Sequence, residues 1–190
     1  MNSVFTLLSA ITEPGFKINE DAYGLWPVPD GASVAWVLDG VTGINDRALL
    51  PGPSDAAWFV AQIQEALPAL LSKQPDRPIA DLVGALACEL DRRQSASWLD
   101  ARGADGRETP AASFALIRSM GEELEIARLG DCLVLIERKD GSVVALDHPV
   151  LEAMEAKTRA AILEIRAAGV SDPAEVLRRM MPTMAARVVC

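Results

Sequence analysis

The stretch Val34-Ala35-Trp36-Val37-Leu38 is apolar at five successive positions and stops abruptly at Asp39-Gly40. It is too short for a helix and rich in β-formers, so it reads as a central strand ending in a polar loop. An unbroken apolar run, unlike an alternating one, implies a sheet covered on both faces. The chain must therefore supply layers on either side of this strand. With 190 residues, half of them hydrophobic and 24% charged, it has the material for one domain over residues 1–190.

The covering elements follow from a change of period. Phe59, Val60, Ile63, Leu67, Leu70 and Leu71 recur at three- and four-residue steps after Ser54, a residue suited to an N-cap. Pro68 inside this stripe predicts a kink or an early end. A second stripe, Ile79, Leu82, Val83, Leu86 and Leu90, follows the 76–78 segment. Strands are predicted over 3–12 and 20–28, split by the Pro14-Gly15 turn. Four more are predicted over 111–118, 124–129, 132–138 and 142–147, as an antiparallel meander with a tight primed hairpin at Asp140-Gly141. Helices are expected over 150–168, up to Gly169, and after Asp172-Pro173, where Asp172 serves as cap. The economical architecture is a layered β-sandwich flanked by helices.

Charge and residue inventory exclude several functions. Acids outnumber Lys and Arg 27 to 18, which disfavours nucleic acid as a partner. No apolar run approaches the length of a membrane span. Cys88, Cys132 and Cys190 are odd in number and widely spaced, so a reducing, cytoplasmic setting is expected. The single histidine, His148, rules out a zinc site of several imidazoles and thiolates and reads as structural or solvent-facing. What remains is acidic: Glu20-Asp21 opens one strand and Asp39-Gly40 closes another. Carboxylates on hairpin-linked strands can converge, and oxygen donors without imidazole favour Mg2+ or Mn2+. The alternative is that they are ordinary solvated acids at strand ends.

Four segments carry a resemblance: Asn19-Glu20-Asp21-Ala22-Tyr23, then 35–43 around Asp39-Gly40, then 108–114 ending in Ser113-Phe114, then Arg128-Leu129-Gly130-Asp131-Cys132. In this order, with two helices between the second and third, they resemble the PP2C (PPM-type) metal-dependent serine/threonine phosphatases over about residues 3–147. The resemblance implies an α+β fold, a four-layer α/β/β/α sandwich of two mainly antiparallel sheets. It also implies two Mn2+ or Mg2+ ions and a phosphoprotein substrate, phosphoserine or phosphothreonine being hydrolysed by a metal-activated water. Matched by motif, Asp39 is the bridging ligand, Glu20 binds one ion, Gly40 donates its carbonyl, Asp21 holds a bound water, and Asp131 lines the site.

The departures matter as much. Phe16 stands where the family carries a phosphate-binding arginine, leaving Lys17 as a point-charge substitute. Val41 stands where many members have a histidine. The later Asp-Gly and Asp-Asn motifs have no match up to Cys190, so residues 150–190 resemble the family only weakly and the fold is expected to be incomplete at its C-terminal side. Two functions follow from these residues: a bacterial-type phosphatase, or a catalytically impaired or truncated pseudophosphatase of the same fold acting as a binding or regulatory module.

Overall fold

A computed structural model describes residues 5–14, 17–27, 33–41, 48–99, 109–146 and 149–185. It divides into two compact units, Met1–Val134 and Leu135–Cys190. The first holds a four-stranded antiparallel sheet of order β1-β2-β3-β4: β1 (Asp21–Pro27), β2 (Ser33–Val41), β3 (Ala111–Met120) and β4 (Glu123–Leu129). Two helices, α1 (Asp55–Lys73) and α2 (Ile79–Ser97), lie between β2 and β3 in the chain.

One sheet face packs on these helices. Val34, Trp36 and Leu38 of β2 and Leu116 of β3 join Ile63, Leu67 and Leu71 of α1 and Leu82, Leu86 and Leu90 of α2 in one cluster. A fully buried leucine of this kind contributes about 1.5–3 kcal/mol. Gly24 lies opposite Trp36 in the ladder, and a Cβ there would overlap the indole, so the glycine lets the ring cross β1. The indole Nε1 donates to Gln64 Oε1 at 2.5 Å, while Gln64 Nε2 donates to the Tyr23 carbonyl at 2.9 Å. Helix and hairpin are thus locked in register.

The second face is less covered than a doubly buried strand implies. Tyr23, Leu25, Val37 and Val41 are exposed, so the run at 34–38 alternates in burial although not in polarity. The predicted strand at 3–12 is also corrected: residues 5–14 form no strand, and Leu8 is 93% exposed. A strand exists only by pairing, and neither described sheet takes this segment into its ladder. Phe5 N–H instead donates to Ser33 Oγ at 2.7 Å.

Helix α1 begins as predicted, with the Ser54 side chain accepting from Ala57 N–H. It runs through Pro68 to Lys73 rather than ending early. The loss of one amide donor there is small beside the burial of Ala66, Leu67 and Leu71 around it. On α2, Glu89 accepts from Arg92 and Arg93, and these bonds hold its carboxyl at about 2, well below the usual carboxylate range. A depressed value in the folded state contributes stability that is full above the unfolded value of 4.5 and disappears as pH falls through about 2. An NMR titration of the Glu89 carboxyl is expected to give a midpoint near 2; one near 4.5 would mean the bonds do not hold in solution.

The second unit contains a two-stranded sheet of β5 (Val134–Glu137), which begins at the boundary, and β6 (Val143–Leu146), followed by α3 (Pro149–Ala167) and α4 (Pro173–Ala185). The predicted four-strand meander is therefore split, β3-β4 in one sheet and β5-β6 in another. The break lies at 130–133, where Gly130 takes a φ of 77°. The β5-β6 turn is a three-residue loop. Gly141 N–H donates to the Arg138 carbonyl at 2.9 Å, Arg138 N–H donates to the Ser142 carbonyl at 2.8 Å, and Gly141 is left-handed at φ 81°. Gly169 ends α3 in the left-handed region, and Asp172 caps α4 by accepting from Ala174 N–H. No helix among the described residues is long and apolar enough to cross a membrane.

Candidate metal centre

The strand register builds a row of side chains across one end of the first sheet. Asp21 pairs with Asp39, and Asp39 with Ser113. Directly opposed residues in a ladder share a face. Beyond Ser113 the chain turns at Gly130, where a Cβ would overlap Ser113 Oγ, and Asp131 N–H points at that same oxygen from 3.4 Å. β2 thus carries Asp39 within the ladder, not in a loop beyond the strand as its sequence suggests.

Glu20 is fixed from two sides. Gly40 N–H donates to its carbonyl at 3.0 Å, and a Cβ on Gly40 would stand 2.6 Å from that oxygen. Glycine is needed here for the close approach of two backbones. The Glu20 side chain accepts from Ser54 Oγ at 2.5 Å. Asn19 prepares the next residue: its side chain accepts from Asp21 N–H at 3.0 Å and donates to Thr12 at 3.0 Å, an Asx turn at the entry to β1.

Asp39 feels its neighbours. Its pKa is raised, first because the carboxyl is partly withdrawn from water, then because Asp21 and Asp131 oppose its charge, Asp21 hydrogen-bonds to it, and Glu20 adds to the repulsion. The Cys132 thiol is pushed up to about 11 by burial and then by Asp39 and Asp131, and stays protonated at neutral pH. Excess negative charge from oxygen donors alone is the chemistry a hard dication relieves. The donor set fits Mn2+ or Mg2+ in kind. Among the described residues, however, no three His, Cys, Asp or Glu side chains are gathered closely enough to form a ready coordination group.

The structure thus brings Glu20, Asp21, Asp39, Gly40 and Asp131 into one neighbourhood. Lys17 is exposed in the bend before Asn19 and makes no hydrogen bond or ion pair among the described residues. Val41 shares the Asp39 face, exposed and unable to donate a proton. Phe16 and His148 lie outside the described residues. Sequence reasoning assigned Ser54 as a helix cap and missed its second bond to Glu20, 34 residues away. An apolar cavity of about 310 Å3 under α1 and α2, lined by Phe59, Leu86, Leu90 and Phe114 among others, includes none of Glu20, Asp21, Asp39 and Asp131.

The protein phosphatase 2C family model matches residues 17–166, and the chain belongs to that family. Its fold is the α+β PP2C-like one, with antiparallel sheets and helices. A serine/threonine phosphatase of S. agalactiae is similar in structure, with a TM-score of 0.52 at 14% identity over 80% of this chain. The match spans 59% of that phosphatase's length. No curated protein matches the chain.

Proposed function

We propose that the chain is a metal-dependent phosphatase that removes phosphate from phosphoserine or phosphothreonine in proteins, acting in the cytoplasm with Mn2+ or Mg2+. The observation that supports this is the strand register that sets Asp21 opposite Asp39, with partial burial first and then the charges of Asp21, Asp131 and Glu20 raising the pKa of Asp39. Asp39 and Glu20 would hold the ions with the Gly40 carbonyl, and Asp21 and Asp131 would complete the negative surround. When bound, the ions supply the Lewis-acid charge on which phosphate-ester hydrolysis in this family depends. Asn19 holds the Asp21 backbone N–H, and Ser54 holds the Glu20 carboxylate. Lys17, at the approach to β1, would meet the substrate phosphate as a point charge, without the fixed fork of an arginine.

A second reading, phosphoprotein binding without turnover by a pseudophosphatase, is favoured by the exposed Val41 beside Asp39 and by the absence of a ready three-ligand group among the described residues. One experiment separates the two. Purified protein with Mn2+ is expected to release phosphate from a phosphothreonine peptide and from an aryl phosphate, and to lose this activity in chelator. Peptide binding without release would select the second reading; release unaffected by chelator would exclude the metal chemistry.

A further inference from the structure

We infer that Ser54 is a positioning residue for Glu20, so that the first turn of α1 orients a ligand of the candidate metal centre. The inference rests on the metal-dependent reading above. A serine hydroxyl has one proton to give and two lone pairs to accept with. Ser54 uses both capacities at once: it accepts from Ala57 N–H at 3.0 Å, which caps α1, and donates to Glu20 Oε1 at 2.5 Å. A hydroxyl donating to a carboxylate at that distance is a charge-assisted bond, among the stronger kinds. Its backbone is equally committed, since Ser54 is extended at φ −154° and ψ 163° and its carbonyl accepts from Trp58 N–H at 3.0 Å.

The anchor behind this contact is firm. Asp55, the next residue, is 5% exposed and accepts from Leu49 and Leu50 N–H, each at 2.8 Å, tying the helix start to the segment before it. Behind it, Trp58, Val60 and Ile63 are buried. On the other side, Gly40 N–H holds the Glu20 carbonyl, so the glutamate is gripped at its backbone by β2 and at its carboxylate by α1. The partial positive charge at the helix N-terminus also favours a carboxylate beside the first turn. A free glutamate samples many rotamers, and a ligand that must be ordered when the ion arrives binds it more weakly.

The cap role and the positioning role come apart on substitution. Glycine is nearly as good an N-cap as serine but has no hydroxyl to donate; threonine keeps the hydroxyl. The test is Mn2+ calorimetry on the wild type, Ser54→Gly and Ser54→Thr, with the melting temperature of each metal-free protein measured alongside. Ser54→Gly is expected to weaken Mn2+ binding about tenfold while melting within a few degrees of the wild type, and Ser54→Thr to restore the affinity. Equal affinity in Ser54→Gly, or an equal loss in Ser54→Thr, would overturn the inference while leaving the metal reading intact. A folded wild type that takes up no Mn2+ would overturn both, and that outcome is visible before any variant is made.

Discussion

Asp39→Asn is expected to abolish Mn2+-dependent phosphate release and to lower Mn2+ affinity by more than about a hundredfold, the upper end of what changes behind a ligand cost. The same substitution is expected to raise the melting temperature of the metal-free protein at pH 7. Asp39 has a raised pKa in the fold, because its carboxyl is partly desolvated and faces Asp21, Asp131 and Glu20. For an acid whose folded value lies above its unfolded value of 3.8, the folded state binds the extra proton, so stability falls as pH rises through that interval. At pH 7 the ionised side chain is a net cost. Asparagine removes the charge and can still hydrogen-bond to Asp21. Calorimetry, phosphate release and a melting curve at pH 7 and pH 3.5 check both halves. Lost activity with unchanged or lower stability at pH 7 would show that the carboxylates are not crowded without metal.

The residue types of the candidate centre are legible in the sequence, and their geometry is not. Glu20-Asp21 and Asp39-Gly40 stand out because acids interrupt apolar runs, but their opposition depends on the β1-β2 register, which sets Asp21 against Asp39. Helices α1 and α2 were readable because a 3.6-residue stripe is local information. The strand expected over 3–12 does not form in its described part because a strand is a property of two partners, and its apolar composition says nothing about the second. Helix α1 does not end early at Pro68 for the opposite reason: the proline's local penalty is fixed, whereas the burial that outweighs it is tertiary. The hydroxyl link from Ser54 to Glu20 left no sequence signal beyond a serine already explained as a cap.

Glu125→Ala is expected to be the most damaging surface-side change in the first unit. Arg118 projects from β3 toward the helices, with its side chain only 3% exposed. Its guanidinium donates from Nε to Glu125 Oε2 at 2.8 Å and from Nη2 to the same oxygen, across the β3-β4 pair in which the two residues stand opposite each other. The other arm donates to the Pro75 carbonyl at 3.0 Å, at the turn between α1 and α2. One cation thus ties an edge strand, a central strand and the helical hairpin together. Removing Glu125 leaves that cation buried without its counter-charge, and breaking a buried pair from one side costs about 3–5 kcal/mol. The carboxylate is itself 32% exposed, which places the expected loss at the lower end, about 3 kcal/mol. For a chain of this size that is a fall of about 6–12 °C in melting temperature. Arg118→Met is expected to cost less, because the glutamate left behind can reach water. The double variant should then resemble Arg118→Met rather than the sum of the two. Urea melts of the three variants check the order. A loss below 1 kcal/mol in Glu125→Ala would mean that water reaches the guanidinium, and the latch between sheet and helices would have to be sought elsewhere.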